Sequence, residues 1–376
     1  MTRKVGIIIG ILAALIAGAG ISFVAMKWDQ PLGPALPGGG SADATGEGIS
    51  EGLLATQLPT TTPVPTATEA DTAATLTAQA LQDLAKPSAT PSPAPTPFCG
   101  GPPQMVILAV GTDSRPDSYL YGLGDVIRIV RADFSNETIR VLSIPRDLWV
   151  EIPELEDRGI THGKLSQAFS WGTEGMGYYQ SEAGGAGLLA LTLEHNFGTE
   201  FDRYFTVNMK TFKRMVDAIG GVYVYVPVTM DGRTNPQQPR QPKYGYFTEG
   251  NHYLDGGEAL MFARIRKMDN DFRRQGRQTQ LLKEIRKRVL SPDIIDAVPD
   301  LIDIFRDNVL TDLSPEEITQ LTCLALSLDA SDVSYTTLDQ DFYASFRTSS
   351  GQAALRVDVE EFGRRLRRFV EGTWPG

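Results

Sequence analysis

Between Arg264 and Arg288 the chain carries ten Lys and Arg against three Asp and Glu, in a sequence whose formal net charge is −11. Guanidinium groups bind phosphate oxygens two at a time. Arg264 and Arg266 near the end of one helical segment, followed by Arg274, Arg277 and Gln278 in the next, therefore read as an anion site. Lys283 to Arg288 read instead as an ordinary solvated face. Arg274 and Gln278 differ from those because they share a helical face with Leu281, Leu282 and Ile285, and polar groups on a face that packs inward need partners. Two carboxylates join the set: Asp113 closes the apolar run MVILAVGTD, and Asp125 opens DVIRIVRAD. Hairpin-like pairing of these runs would bring both to one rim, where two hard oxygen donors suit Mg²⁺, although Asp in such loops also caps turns. Spacing alone leaves both readings open. A divalent cation and a cluster of guanidinium groups together describe a site for a pyrophosphate whose charge is neutralised as a phosphoryl group changes partners.

Periodicity supplies the elements that would hold these groups. Residues 105–113, 125–133 and 138–147 read as strands, the last two joined by the turn FSNE. Residues 188–197 and 211–219 carry helical apolar spacing, and GGVYVYVPV after them is a further strand. Residues 257–266, 274–289, 291–306, 314–328 and 359–370 also read as helices, so an α/β domain is expected over 99–373. Other chemistries find no support. The three histidines lack the helical pairing of a zinc hydrolase, and GGAGLLALT lacks the lysine of a phosphate-binding P-loop. The G-x-S-x-G match at Gly48 to Gly52 falls in the Gly-, Ala- and Thr-rich stretch rather than between a strand and a helix, and does not read as a nucleophile elbow. Cys99 and Cys323 are too few for a disulfide framework or a four-thiolate zinc site, though one bridge could form outside the cytosol. The acidic balance argues against a nucleic-acid partner.

Val5 to Met26 is a run of 22 residues without a charge, and a bilayer-spanning helix needs about 20 apolar residues. Arg3 and Lys4 before it place residues 1–4 in the cytoplasm and the rest of the chain outside. A cleaved signal peptide would have a shorter apolar core. Residues 27–98 are rich in Gly, Ala, Ser, Thr and Pro and are expected to be a disordered extracytoplasmic linker. A chain of that length reaches about 45 Å on average.

GTDSR (111–115), GDVI (124–127), SIPRD (143–147), DRYFTVN (202–208), VDAIGGV (216–222), LDGGEALMFARIR (254–266) and DFRRQGRQ (271–278) resemble, in that order and spacing, the LytR-CpsA-Psr family over about residues 104–290. The resemblance implies a three-layer α-β-α domain with a central mixed sheet. It also implies a Mg²⁺-dependent phosphotransferase that moves a glycopolymer from a polyprenyl-pyrophosphate carrier in the membrane to peptidoglycan. On the matching motifs, Asp113 and Asp125 would hold the metal, and Arg146, Arg264, Arg266, Arg274 and Gln278 would grip the pyrophosphate, with Arg115 and Lys164 as further candidates. Asp147 and Asp271 would orient these arginines or act as base toward the acceptor hydroxyl. Two departures stand out. Leu123-Gly124-Asp125 replaces the family's Arg-Ser-Asp, and strand alternation offers Arg131, rather than Arg128, as the substitute on the face of Asp125. Ser166-Gln167 replaces Asn-His after Lys164. Val126, Ile129, Phe205, Val207, Phe212 and Val216 are available to a polyprenyl chain, as they are to an ordinary core. Rival readings are a hydrolase of the same lipid-linked pyrophosphate, with water as acceptor, and a non-catalytic envelope-binding regulator.

Overall fold

A computed structural model describes residues 31–37, 97–114, 118–267 and 270–374. The expected spanning helix at 5–26, most of the linker and Arg115 lie outside the described residues. Among the described residues no helix is long and apolar enough to cross a membrane.

Strands β1 (Gln104–Thr112), β2 (Gly124–Asp133) and β3 (Thr138–Ile144) form an antiparallel meander. A short ribbon of β4 (Trp149–Glu151) and β5 (His162–Lys164) follows, then helices α1 (Leu165–Gly172) and α2 (Gly184–Phe197). Strand β6 (Arg203–Asn208) returns to pair parallel with β1. Helix α3 (Met209–Ala218) leads to β7 (Val222–Val226), and the small hairpin of β8 (Met230–Asp231) and β9 (Tyr246–Phe247) precedes β10 (Gly250–Leu254), the partner of β7. The basic segment lies on α4 (Gly256–Arg264) and α5 (Asp271–Val289). Helix α6 (Val298–Asn308), β11 (Val309–Thr311), α7 (Pro315–Ser327) and β12 (Val333–Thr337) then complete a six-stranded mixed sheet of order β11-β6-β1-β2-β3-β12. The hairpin of β13 (Ala344–Arg347) and β14 (Ala353–Arg356) precedes α8 (Val359–Val370).

Alternation along β1 builds a core on each face of the sheet. Val106, Leu108 and Val110 pack with α1, α2 and α8, where Phe169, Leu189 and Phe362 are buried. Met105 and Ile107 face the other way, toward Leu321 and Leu324 of α7. A third cluster joins β7, β10 and helices α3 to α5 through Val224, Leu254, Phe262 and Leu281. Four of the residues available to a polyprenyl chain are divided among these cores, with Ile129 in the first, Phe205 in the second and Phe212 and Val216 in the third.

Two covalent or close attachments hold the N-terminal side. Cys99, in the turn before β1, is bonded to Cys323 of α7 with Cα atoms 6.0 Å apart. Residues 31–37, within the stretch read as linker, lie against the domain: Leu36 is 5% exposed in the first core, and its N–H donates to Asp312 Oδ2 at 3.3 Å.

Candidate active site

The start of β2, the end of β3 and the first turn of α5 meet at one place. The loop after β1 is closed on itself, with Asp113 N–H donating to Leu123 O at 3.1 Å and Leu123 N–H to Asp113 Oδ1 at 2.6 Å. Opposite Gly111 and Thr112 the β1–β2 register shifts, and Asp125 is the extra residue between Gly124 and Val126. Such a bulge re-aims the side chain it carries. On the other side, Asn270 accepts a hydrogen bond from Arg273 N–H at 3.0 Å and starts α5, which sets Asp271 and Arg274 in its first turn.

The charged groups form an alternating chain. Arg146 Nη1 contacts Asp125 Oδ1, and Arg146 Nε lies 3.8 Å from Asp147 Oδ2 and 3.9 Å from Asp271 Oδ1. Arg274 Nη2 pairs with Asp271 Oδ1 at 2.6 Å and donates to Asp125 O at 3.3 Å. Asp147 accepts from Lys164 Nζ at 2.8 Å and lies 3.6 Å from Arg266 Nη2. Burial pushes the Asp125 carboxyl up, and the Asp113 charge adds to this, against Arg146 and Arg274. For Asp147 burial is outweighed by the Lys164 hydrogen bond and the charges of Arg146, Lys164 and Arg266, which hold it below the usual carboxylate range. Burial lowers Arg274, the Arg146 charge also lowers it, and Asp271 opposes both.

Around these charges lie buried polar atoms that have no hydrogen-bond partner among the described residues: Arg128 Nε, Ser143 Oγ, Arg146 Nε, Asp271 Oδ1, Arg274 Nε and Gln275 Oε1. Four of these residues line, with Asp125 and Gln278, an enclosed void of about 10 Å³. Native interiors satisfy nearly all such groups, so several together mark a place built for something that supplies the partners.

Sequence reasoning placed most of this set and missed part. Asp113, Asp125, Arg146, Asp147, Lys164, Arg266, Asp271 and Arg274 come together, and Gln278 reaches the void while its Nε2 donates to Ala263 O at 3.4 Å. Arg264, the last residue of α4, is exposed. Arg277 is turned elsewhere: it is 8% exposed, its Nε donates to Phe262 O at 3.1 Å, and its Nη2 donates to Ile265 O. It closes the end of α4, where carbonyls lack helical partners. Arg131 is also displaced, bonding Gln104 Oε1 at 2.9 Å, Asp133 Oδ2 at 2.8 Å and Val370 O at 2.9 Å toward the far end of β2. Arg128 is the arginine beside the void, held by Thr279 Oγ1 at 3.2 Å from both Nη atoms. The bulge at Asp125 resets the alternation that pointed to Arg131. Ser143 and Gln275 were not anticipated, although both sit inside the matching motifs.

Asp113 and Asp125 suit a hard cation. Arg146 donates to Oδ1 of Asp125 and the Leu123 N–H donates to Oδ1 of Asp113, and among the described residues Oδ2 of each accepts no hydrogen bond. No group of three or more His, Cys, Asp and Glu converges among the described residues. A two-carboxylate site is the kind that Mg²⁺ shares with water and substrate phosphates.

The model of the LytR_cpsA_psr family matches residues 78–366. The chain belongs to this family. It is similar to the Bacillus anthracis protein named polyisoprenyl-teichoic acid–peptidoglycan teichoic acid transferase TagU, with 30% identity over 216 residues, 56% of this chain and 61% of that relative. The chain thus matches about three fifths of the relative's length. Among solved structures it resembles Bacillus subtilis TagV, with TM-score 0.54 and 24% identity over 71% of this chain and 97% of that one. It also resembles TagT bound to LIIa-WTA, with TM-score 0.52 and 23% identity over 71% and 91%. Both structural likenesses concern the fold, and the mixed α/β architecture is that of the family.

Proposed function

We propose that this chain is a membrane-anchored, extracytoplasmic phosphotransferase that moves a glycopolymer from a polyprenyl-pyrophosphate carrier to peptidoglycan. One observation carries the reading. Six buried polar atoms without hydrogen-bond partners among the described residues gather around Asp125, four of them donors on Arg128, Ser143, Arg146 and Arg274 and two of them the acceptors Asp271 Oδ1 and Gln275 Oε1. Donors in that number suit a ligand whose outer atoms are acceptors, as phosphate oxygens are. The TagU relative is named as a transferase of teichoic acid to peptidoglycan, which supports this reading. The uncharged run from Val5 to Met26 and the Cys99–Cys323 disulfide support an anchored domain in an oxidising compartment.

In the proposed reaction an acceptor hydroxyl oxygen bonds to the phosphorus that bears the glycopolymer. The bond from that phosphorus to the bridging oxygen breaks, and polyprenyl phosphate leaves with the electron pair. Arg146 and Arg274 hold the diphosphate, and their burial strengthens each contact because water no longer competes. Asp147, held acidic by Lys164 and Arg146, is a poor proton acceptor and serves to orient those two cations and Arg266. Asp271, whose Oδ1 lies 2.6 Å from Arg274 Nη2 and 3.9 Å from Arg146 Nε and whose Oδ2 accepts from Gln275 Nε2 at 3.0 Å, is the second candidate acceptor of the hydroxyl proton. Mg²⁺ held by Asp113 and Asp125 would neutralise charge on the diphosphate.

The test supplies the full chain in detergent with a lipid-linked oligosaccharide and peptidoglycan fragments, with and without Mg²⁺, beside Arg274→Ala and Asp125→Ala. Acceptor-linked product from the wild type alone is expected. Equal product from all three proteins would overturn the assignment, and release of free oligosaccharide without acceptor dependence would make the protein a hydrolase.

A further inference from the structure

An open cleft of about 540 Å³ lies outside the charged site and is lined by Trp149, Ile160, His162, Gln167, Trp171 and Gln352 among others. Its volume falls within the roughly 300–1,000 Å³ of small-molecule sites. We infer that this cleft is the subsite for the acceptor glycan, binding uncharged pyranose units of the chain that receives the polymer. The inference rests on the transfer reaction proposed above.

The ribbon of β4 and β5 joins the cleft to the charged site. Trp149 stands directly opposite Lys164, and Glu151 opposite His162. Opposite residues of an antiparallel pair, and residues two apart on one strand, project from the same face. Lys164, Trp149, His162 and Glu151 therefore share a single face, with Glu151 Oε1 4.0 Å from His162 Nε2 at one end and Lys164 Nζ bound to Asp147 at 2.8 Å at the other. A sugar chain lying along this face would end beside Asp147 and Arg146, where an attacking hydroxyl is required.

The lining matches a sugar in detail. Trp171 packs against Gly163 on the core-facing side of the ribbon, where a Cβ would approach its indole ring to 2.5 Å, so its ring borders the cleft from the face opposite to that of Trp149 and His162. Trp149 meets the Phe346 ring edge-on at 6.2 Å, and the Arg356 guanidinium stacks on Phe346 at 3.8 Å. Both indoles are thus positioned before any ligand arrives. The negative face of an indole attracts the polarised C–H groups on one side of a pyranose ring, a weak contact that gains from area. Gln167 Oε1 accepts from Lys164 N–H at 2.9 Å, so its amide N–H groups make no hydrogen bond among the described residues, and Gln352, which also lines the cleft, is exposed. Among the described residues, no Asp, Glu, Lys or Arg lines the cleft. The phosphate-binding arginines lie only a few residues away, so the contrast separates a neutral acceptor from an anionic donor.

The full chain in detergent would be titrated with a peptide-free peptidoglycan hexasaccharide, with binding read by tryptophan fluorescence and calorimetry. Saturable binding is expected, weakened about ten-fold in Trp149→Ala and in Gln352→Ala and largely kept in Trp149→Phe. Trp171→Ala removes a ring that also packs on the core, so the exposed Gln352 provides the variant that leaves folding intact. In the transfer assay the acceptor KM should rise about ten-fold in Trp149→Ala without a matching rise in donor KM. Absence of wild-type binding, or unchanged binding in both Ala variants, overturns the inference. So does tighter tryptophan-dependent binding of a glycerol-phosphate oligomer. Donor turnover with an unaltered acceptor KM removes this subsite and leaves the transferase. Hexasaccharide binding that depends on Trp149 in a protein that never consumes donor removes the transferase and leaves a glycan-binding cleft.

Discussion

The substitution Asp312→Asn should change how stability depends on pH. Asp312 is 5% exposed and accepts from Tyr204 N–H at 2.7 Å and Leu36 N–H at 3.3 Å. Burial pushes its carboxyl up to about 6, against those two hydrogen bonds and the Arg203 charge. The unfolded value is the ordinary 3.8, so the folded protein holds the proton more tightly than the unfolded chain. The resulting stability is present in full below about pH 4 and is lost as pH rises through 6. A difference of about two pKa units corresponds to roughly 3 kcal/mol. The amide of the variant cannot ionise, so its stability relative to wild type should improve by about 3 kcal/mol between pH 4 and pH 7.5. Urea denaturation followed by fluorescence across that range measures the difference, and subtracting the variant removes the titration of every other group. At roughly 2–4 °C per kcal/mol the change is also visible in thermal melts. A flat difference curve would refute both the buried, unpaired character of Asp312 and the docking of residues 31–37 upon it.

The Cys99–Cys323 bond closes a sequence separation of 224 residues, which by loop entropy corresponds to at most about 5 kcal/mol. Paired Cys→Ala variants should lose several kcal/mol in denaturant, and unchanged stability with and without reductant would contradict this. Arg277→Ala leaves the Phe262 and Ile265 carbonyls unsatisfied and should cost about 3 kcal/mol of stability while activity per folded molecule persists; a selective rise in donor KM with normal stability would return Arg277 to the binding site. Asp147→Asn should raise donor KM about ten-fold and leave the shape of the pH–rate profile unchanged, whereas loss of its acidic limb with a fall in kcat of more than ~100-fold would identify Asp147 as the base. Mg²⁺ should raise the melting temperature of the wild type and not that of Asp113→Asn, and equal shifts in chelator-controlled melts would remove Asp113 from the metal site.

What the sequence made legible follows physical lines. Strands β1 to β3 appeared within a few residues because both faces of the sheet are covered and their apolar runs are nearly continuous. Helix α1 was not identified, although Leu165, Ala168, Phe169 and Gly172 recur at helical spacing and are buried. Helix α2 begins at Gly184, four residues before the expected start. Its glycines look like loop residues yet serve close packing, for a Cβ on Gly185 would stand 2.7 Å from Phe169 O. At the site, the side chains of Asp125, Arg146, Asp271 and Arg274, each near the end of a recognisable element, lie together as their motifs suggest. Arg277 and Arg128 were misjudged for tertiary reasons. The partner of Arg277 is the end of the neighbouring helix, and the facing of Arg128 depends on a bulge that no periodicity reveals.

The departure at Leu123 bears on how charge is balanced. Arg128, Arg146, Lys164, Arg266 and Arg274 oppose Asp113, Asp125, Asp147 and Asp271, so the site carries a single net positive charge. A sugar diphosphate diester carries two negative charges, more than these side chains neutralise alone, which agrees with a site that also takes a cation at Oδ2 of Asp113 and Asp125. The burial of Arg128 alters what it can contribute. Its charge is worth more to a phosphate than an exposed arginine at position 123 would be, because desolvation lowers its own pKa to about 10 and leaves it short of partners. It is also less adaptable, since Thr279 fixes both Nη atoms and only Nε remains without a hydrogen bond. An arginine reaching in from the loop at 123 can follow a substrate as it moves, whereas one fixed between β2 and α5 recognises a single diphosphate position. Under the proposed function Arg128 would therefore hold its ligand in one position, where an arginine at 123 would give a mobile contact.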